Sequence, residues 1–268
     1  MPVPTPLPAP PNPELHELPD PEVTVDHLAG DWKICQLRRG HRFSADDMLT
    51  AWFATDIAPT ATEQLDLGAG IGSVGLLSLW RLPPDTRLTM VEAQVLSATL
   101  AARTVALNKL GHRVFGRRGD LRDDAVVPET DHWPLVTGSP PYIPLDKGVC
   151  SPHPQRAGAR MELRGTVADY ARRAARAMRP DGWFVFCFSG IDPRAEAAVA
   201  DAGLHLRVRQ DVYFRAFLPP TVALFAATRS PGPREDRPPL VIRDHGGGWT
   251  EPYLRIRSQM GGPNLLPP

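Results

Sequence analysis

Cysteine is scarce in this 268-residue chain, which contains only Cys35, Cys150 and Cys187. These residues form no Cys-x-x-Cys pair and no cluster with histidine, so the sequence indicates neither a disulfide framework nor a metal site. No apolar run approaches the ~20 residues that cross a bilayer. The first ten residues also lack the basic and apolar regions of a secretory signal. We therefore expect a cytoplasmic protein with reduced thiols, no metal and no membrane contact.

An excess of either charge is also missing, because 30 lysines and arginines balance 30 acidic residues. The sequence therefore does not indicate a protein coated in positive charge for unspecific nucleic-acid binding. The arginines are nevertheless clustered: seven lie between Arg156 and Arg179, and a second basic stretch covers residues 38–42. Such clusters suit phosphate binding, although a solvated helix face in an arginine-rich protein would look the same.

Proline separates three parts of the chain. Residues 1–21 hold nine of the 31 prolines. That composition cannot bury enough apolar surface to order the segment, so a disordered tail is predicted. Residues 22–229 carry regular hydrophobic periodicity and are expected to form one α/β domain. Residues 230–268 form a C-terminal extension rich in proline, glycine and arginine, with one strand candidate at 240–242.

Apolar strands alternate with helices in the predicted domain. Two short strands at 23–25 and 32–35 suggest an N-terminal hairpin, and Ser44 can cap a helix over 48–57. Strands are predicted at 64–67, 88–91, 113–116, 134–137, 183–188, 205–213 and 221–228, and helices at 71–80, 94–110, 165–178 and 194–202. This alternation is typical of a doubly wound, Rossmann-like sheet. The last two strands are expected to form an antiparallel pair at the sheet edge.

A glycine-rich turn follows the first strand of this sheet. It places Asp66, Gly68, Gly70 and Gly72 in an Asp-x-Gly-x-Gly-x-Gly pattern, and Glu92 ends the next strand. A further glycine three positions on also completes the Gly-x-Gly-x-x-Gly dinucleotide fingerprint, in which Glu92 would bind a ribose. An acid before the first glycine is instead the pattern of methyltransferases that use S-adenosylmethionine. We favour that cofactor, with Glu92 accepting both ribose hydroxyls.

Two points in this region stay open on the sequence alone. The glycines could serve only a tight strand-to-helix turn, without any ligand. Asp120, which follows the third strand of the sheet, fits an acceptor for the adenine amino group of the cofactor. A lone aspartate at such a place is equally suited to capping a helix.

The most specific motif is Ser139-Pro140-Pro141-Tyr142, directly after a predicted strand. Two prolines stiffen a loop at the sheet edge where ligands bind in open α/β folds. An amino group on a base or amide is a poor nucleophile, since its lone pair is delocalised. The Ser139 side chain and the Pro140 carbonyl could accept its two hydrogens and turn the lone pair toward a methyl donor. Tyr142 would stack on the flat target.

Together these motifs resemble the bacterial tRNA adenine-N6 methyltransferases that modify the adenine 3′ of the anticodon (position 37) in valine tRNA. The resemblance runs through residues 43–47, 66–72, 91–92, 139–142, 154–160, 240–243 and 250–253. It implies a seven-stranded, mostly parallel sheet with a C-terminal antiparallel strand, S-adenosyl-L-methionine as cofactor and tRNA as partner. We expect a monomer. Ser139, Pro140 and Tyr142 would be catalytic, Ser139 would also contact the cofactor, and Phe43, Arg156 and Arg160 would join Tyr142 at the substrate.

One position departs from this family, which usually has asparagine where this chain has Ser139. Serine at this place also occurs in cytosine-N4 methyltransferases, so the identity of the base stays open. The target could equally be an rRNA base, a DNA base or a protein glutamine. Enzymes of the glutamine-methylating, release-factor type carry the asparagine and a helical N-terminal domain, which this chain lacks. A non-catalytic Rossmann dinucleotide-binding module is a hypothesis from another class.

Overall fold

The computed structural model describes residues 22–129, 132–144 and 151–263. The predicted tail at 1–21 lies outside these residues. The strands are β1 (Val23–Ala29), β2 (Trp32–Leu37), β3 (Glu63–Leu67), β4 (Arg87–Glu92), β5 (Val114–Arg118), β6 (Trp133–Gly138), β7 (Met178–Ser189), β8 (His205–Tyr213), β9 (Val222–Thr228) and β10 (Glu235–Val241). The helices are α1 (Ala45–Ile57), α2 (Ser73–Arg81), α3 (Val95–Leu107), α4 (Pro154–Arg160), α5 (Val167–Ala177), α6 (Arg194–Asp201) and α7 (Glu251–Gln259).

The main sheet has the order β10-β8-β9-β7-β6-β3-β4-β5. Strands β7, β6, β3, β4 and β5 run parallel, and β9 is antiparallel to both β7 and β8. The mixed α/β, Rossmann-like prediction is confirmed. Helices α1, α2 and α3 pack on one face of the sheet, and α5 and α6 pack on the other. The strands between these layers are therefore almost entirely buried.

The main sheet has eight strands instead of the seven that the resemblance implies, because β10 pairs in parallel with β8. The strand candidate predicted at 240–242 overlaps the end of β10. The β10 sequence, Glu-Asp-Arg-Pro-Pro-Leu-Val, has no apolar alternation, and its two prolines are tolerated because an edge strand pairs on one side only. The pair β8–β9 is antiparallel as predicted. It does not form the edge, since β9 lies between β7 and β8 while β10 covers β8.

The predicted N-terminal hairpin is confirmed as a separate two-stranded sheet of β1 and β2. It is fastened to α3 by hydrogen bonds that join residues distant in sequence. The Cys35 amide donates to the Thr104 hydroxyl at 2.9 Å, and the Lys33 amide donates to the Asn108 side chain at 2.8 Å. The hairpin thereby covers the outer surface of the helical layer.

Two short helices were not predicted, α4 and α7, and both begin with proline in the first turn. Their lengths of seven and nine residues give too little periodicity to recognise. Helix α2 begins at Ser73 rather than at residue 71, because Gly72 has a left-handed φ of 89°. None of the described helices is long and apolar enough to cross a membrane.

Candidate active site

A cleft of about 410 Å³ opens at the carboxyl ends of β3, β4 and β6. Its walls come from the turn after β3, the end of β4, the loop after β5, the loop after β6, the start of α1 and helix α4. Ten of the residues predicted from sequence line it: Asp66, Gly68, Gly70, Glu92, Asp120, Ser139, Pro140, Tyr142, Arg156 and Arg160. The parallel topology brings these separate segments to one edge of the sheet.

The glycine turn needs glycine for two different reasons. Gly68, Gly70 and Gly72 all have left-handed φ angles, of 61°, 57° and 89°. At Gly68 a Cβ atom would also lie 1.9 Å from the hydroxyl oxygen of Tyr170, a buried cleft residue on α5 that was not predicted. Gly72 itself does not line the cleft, since a Cβ there would face Leu76 and the Met90 sulfur. Gly72 thus contributes to the conformation of the turn on the side that faces the core, away from the cleft.

The buried Asp66 side chain stabilises this turn. Its side chain is 1% exposed, one carboxylate oxygen accepts from the Gly75 amide at 3.0 Å, and the other accepts from the Thr137 hydroxyl at 2.8 Å. Burial raises its pKa to about 6, although both hydrogen bonds favour the ionised form. Asp66 therefore holds the turn to β6 through both oxygens, and it also lines the cleft.

Glu92 reaches the cleft from the end of β4 and holds the other side of the turn. Its oxygens accept from the Gly70 amide at 2.8 Å and from the Gln94 amide at 2.6 Å. Burial raises the pKa of this carboxyl group. Each oxygen of a carboxylate can accept more than one hydrogen bond, so Glu92 retains acceptor capacity toward the cleft.

Asp120 faces the same cleft but is already paired. Its two oxygens accept from the Arg122 guanidinium at 2.9 and 2.6 Å, and one also accepts from the Arg122 amide. The Arg122 side chain lowers the pKa of Asp120, which is thereby kept ionised. The pair is partly exposed, and exposed ion pairs are weak, so the carboxylate can be shared with a ligand.

The Ser139–Tyr142 loop leaves β6 directly over the cleft. The Tyr142 hydroxyl donates to the Asp46 carboxylate at 3.1 Å, and the Tyr142 ring meets Phe188 edge-on at 5.9 Å between centroids. Burial, aided by Asp46, raises the pKa of Tyr142, so its hydroxyl remains a donor. The Tyr142 side chain is thus held by the hydrogen bond of its hydroxyl to Asp46 and by the packing of its ring against Phe188. The Ser139 hydroxyl lies 3.3 Å from the Cys187 sulfur on β7.

Two acidic residues at the start of α1 complete the cleft and were not predicted as site residues. Asp46 holds Tyr142, and Asp47 is 6% exposed and accepts from the Ser44 amide at 2.9 Å. Burial, followed by the neighbouring Asp46 charge, raises the pKa of Asp47 to about 7. Ser44 is the N-cap of α1 as predicted, and Asp47 belongs to the same capping box. Because this end of α1 faces the cleft, Asp46 and Asp47 also line the cleft.

The arginines of the 156–179 cluster fall into two groups. Arg156, Arg160 and Arg164 line the cleft, and Arg156 also donates to the carbonyls of Arg39 and Gly40. The other four are held in ion pairs with Asp169, Asp124, Glu129 and Asp181: Arg172, Arg173, Arg176 and Arg179. Phe43 packs against the hydrophobic core and does not line the cleft.

Comparison with known proteins gives the relatives of this chain. No family model matches it. It is 30% identical over 213 residues to the tRNA1(Val) (adenine(37)-N6)-methyltransferase of Escherichia coli O157:H7, across 78% of this chain and 83% of that protein. The protein of the same name from Cronobacter sakazakii is 29% identical over 188 residues, across 69% and 74% of the two chains. This chain belongs to that family.

Solved structures agree on the fold of this family member. A predicted O-methyltransferase from Agrobacterium tumefaciens superposes with a TM-score of 0.61 at 20% identity, over 81% of this chain and 98% of that one. The ribosomal protein L11 methylase of Lactobacillus delbrueckii gives a TM-score of 0.51 at 14% identity, over 71% and 81%. At such identities the likeness shows the methyltransferase fold alone.

The cofactor of this methyltransferase is S-adenosyl-L-methionine, and the cleft fits it. Glu92 offers carboxylate oxygens for ribose hydroxyls, and the left-handed turn at Gly68 and Gly70 leaves backbone open to the ligand. At Gly70 an added Cβ would meet no atom within 4 Å, so this residue borders open space. Asp46 and Asp47 place negative charge beside a ligand that carries a sulfonium and an ammonium group. A volume within the roughly 300–1,000 Å³ of small-molecule sites is sufficient.

Removing the Glu92 carboxylate is expected to weaken cofactor binding. Glu92→Ala loses charged acceptors for ribose and for the Gly70 amide, so titration calorimetry with S-adenosylmethionine should show a loss of about 1.5–3 kcal/mol. Glu63→Ala, at the opposite end of β3, is the matched control and should bind normally. Unchanged affinity in a folded Glu92→Ala protein would refute the assignment, and tight binding of NAD by the wild type would restore the dinucleotide hypothesis.

Cofactor affinity is expected to rise with pH. In the free protein Asp66 and Asp47 have pKa values of about 6 and 7, and a cationic ligand favours their ionised forms. Binding should therefore release protons, and a fall of about one unit in one pKa gives about a tenfold gain in affinity across this pH range. Asp47→Asn, which keeps an acceptor for Ser44, should flatten the dependence. S-adenosylhomocysteine, without the sulfonium, should show a shallower one.

Calorimetry at several pH values in buffers of different ionisation enthalpy measures both the affinity and the protons released. Asp181→Asn serves as the control, since Asp181 pairs with Arg179 away from the cleft. An affinity independent of pH between about 5.5 and 8 would contradict the proposed coupling to these carboxylates.

Proposed function

We propose that this protein transfers a methyl group to N6 of an adenine in tRNA, at position 37 beside the anticodon. The observation that carries the proposal is the Ser139–Tyr142 loop on the wall of the cofactor cleft, one strand from the glycine turn. The relatives named above are tRNA adenine-N6 methyltransferases, which supports adenine as the base and tRNA as the substrate.

The residues divide the work by position. Bound S-adenosylmethionine supplies an electrophilic methyl group on its sulfonium. The Ser139 hydroxyl and the Pro140 carbonyl accept the two hydrogens of the target amino group, which draws the nitrogen lone pair out of conjugation. Tyr142 stacks on the base, and its hydrogen bond to Asp46 keeps the ring in that orientation.

The rim of the cleft supplies contacts for the RNA backbone. Arg160 is exposed, and among the described residues it has no carboxylate at ion-pair distance. An arginine in that state is available for a phosphate oxygen. The arginines on α5 are held by aspartates and glutamates, so we assign substrate contact to the rim.

The product identifies the reaction. Purified tRNA is incubated with the protein and labelled S-adenosylmethionine, and its nucleosides are analysed by mass spectrometry. N6-methyladenosine is the expected product. N4-methylcytidine, or label in protein glutamine, would refute the adenine assignment and leave an amino methyltransferase, whereas no transfer to RNA, DNA or protein would refute the enzyme proposal.

Variants of the loop separate binding from turnover. Tyr142→Ala should lose roughly 1–3 kcal/mol of substrate stacking and keep its cofactor affinity. Ser139→Ala should mainly lower kcat, because its acceptor matters most as the nitrogen rehybridises. Ser139→Asn should retain or raise activity on adenine, since it restores the residue usual in the family. Loss of adenine activity in Ser139→Asn would contradict the proposed role.

A matched pair of arginine variants tests the rim. Arg160→Ala should weaken tRNA binding and lower the slope of log affinity against log salt by about one, as expected for one lost phosphate contact. Arg179→Ala, whose arginine is paired with Asp181, should leave both unchanged. Filter binding or fluorescence anisotropy over a salt series measures both quantities, and equal effects of the two variants would refute the assignment.

A further inference from the structure

Three loops are joined into one surface at the edge of the sheet where the cleft opens. They follow β7 (190–193), connect β8 to β9 (214–221) and follow β10 (242–249). The Gly190 amide donates to the Thr221 carbonyl at 3.4 Å, and the Ala216 amide donates to the Arg243 carbonyl at 3.0 Å. Strands β6, β7, β8 and β10 all run in the same direction, since only β9 is antiparallel to its neighbours. The three loops and the Ser139–Tyr142 loop therefore lie at the same edge.

This surface exposes apolar side chains that the core does not use. Phe217 is 59% exposed, Leu218 beside it is 44% exposed, and Ile191 is 72% exposed. The Phe217 ring is nearly parallel to the ring of His245, which is also exposed, with an interplanar angle of 28° and 6.1 Å between the centroids. A single exposed apolar residue is ordinary, but two exposed rings in this orientation offer a flat surface on which another planar group can stack.

The charges around the two rings favour an anionic partner. Arg215 is exposed, and among the described residues its guanidinium has no ion pair or hydrogen bond. Arg243 donates to a backbone carbonyl of its own loop at 2.7 Å. The acids of the three loops are Asp192, which pairs with Arg194, and Asp244, which accepts from a backbone amide of its own loop at 2.9 Å. Two arginines therefore stand against one unpaired aspartate.

Exposed rings beside an unpaired arginine match the chemistry of a single-stranded nucleic acid. Its bases stack on aromatic side chains, and its phosphates bind the guanidinium groups. A base that enters the cleft must leave its own stack, which also exposes a face of the neighbouring base. Strands β9 and β8 are two and three strands from β6, so their connecting loop lies roughly 10–15 Å across the sheet from β6, at about 4.8 Å between strands. One RNA strand can therefore reach both the cleft and this loop.

We propose that Phe217 and His245 form a stacking site for an unpaired base next to the target adenine in the substrate RNA, with Arg215 on the adjacent phosphate. This inference rests on the proposed function, because it requires RNA in the cleft. It assigns the β8–β9 loop and the loop after β10 to substrate binding, in addition to Arg160 at the rim. A base stacks through its π face, so the site is expected to accept any base.

Substitutions at Phe217 separate stacking from apolar contact. Phe217→Leu keeps an apolar side chain and loses the π face, so fluorescence anisotropy with an anticodon stem-loop RNA should show binding weakened by roughly 5-fold or more. Phe217→Trp should bind at least as tightly as the wild type. Val25→Ala removes an equally exposed apolar side chain from β1 and should bind normally. The Kd for S-adenosylmethionine should be the same in every variant.

Photocrosslinking locates the contact, and a salt series tests the arginine. The stem-loop RNA carries 5-iodouridine on the 5′ side of the target adenine or on the 3′ side, because irradiation joins this base to aromatic side chains that contact it. Mass spectrometry should find one of the two RNAs attached within residues 214–221 or 242–249, and Phe217→Leu should reduce the yield. Arg215→Gln should lower the slope of log affinity against log salt by about one, and Arg179→Ala should not.

The outcomes separate this site from the proposed function. If the wild type binds the RNA and Phe217→Leu binds it equally well, the rings do not stack on a base. The inference is then overturned, the proposed function stands, and an apolar protein partner becomes the occupant to test. Crosslinks from neither flanking position to these loops would also overturn it. A wild type that neither binds nor methylates RNA refutes the proposed function and, with it, this stacking site.

Discussion

The arrangement of this site depends on one buried carboxylate, that of Asp66. Asp66 lies on β3, its oxygens bind the Gly75 amide on α2 and the Thr137 hydroxyl on β6, and Thr137 also accepts from Gln64 at 2.9 Å. Thr137 stands two residues before Ser139. A single charged group therefore links the glycine turn to the strand that carries the Ser139–Tyr142 loop. Hydrogen bonds to a charged acceptor that is shielded from water are stronger than bonds between neutral groups. The position of both the glycine turn and the Ser139–Tyr142 loop depends on these bonds.

The cleft around Asp66 contains several buried carboxyl groups, and ionising them in the absence of a ligand is unfavourable. Asp47, Asp66 and Glu92 are buried close together, and burial raises the pKa of each. In the folded protein these groups hold protons that the unfolded chain releases near pH 4. Their contribution to stability therefore falls as pH rises from about 4 to about 7. A cationic ligand offsets this cost, because it favours the ionised carboxylates that the empty cleft disfavours.

The features that sequence reasoning recovered are those written in contiguous residues. The glycine turn, Glu92 at a strand end and the Ser139–Tyr142 loop are short motifs on strongly periodic elements, and a parallel sheet brings them to one edge. Strand β10, with two prolines, and the seven-residue α4 have a weak local signal, so their own sequences do not specify them. Roles that depend on distant contacts were not visible either. Asp47 is an example, because only the fold places its carboxyl group at the cleft. The motif indicated Asp66 as a site residue. Its hydrogen bonds to Gly75 and Thr137, which only the fold shows, indicate that it also stabilises the turn.

The fold also separates the arginines of the 156–179 cluster into those that line the cleft and those that are held in ion pairs. On the sequence, seven arginines between Arg156 and Arg179 form one basic segment. In the fold, α5 directs Arg172, Arg173 and Arg176 toward carboxylates, and Arg173 is almost fully buried against the Val127 carbonyl. Arg173 and Arg176 hold the loop after β5, which carries Asp120, against α5. Helix α4 instead presents Arg156 and Arg160 to the cleft that Tyr142 also lines. Under the proposed function, these two arginines lie at the same cleft as the loop that would hold the base, and a protein without net charge can bind a polyanion through such a local group of cations.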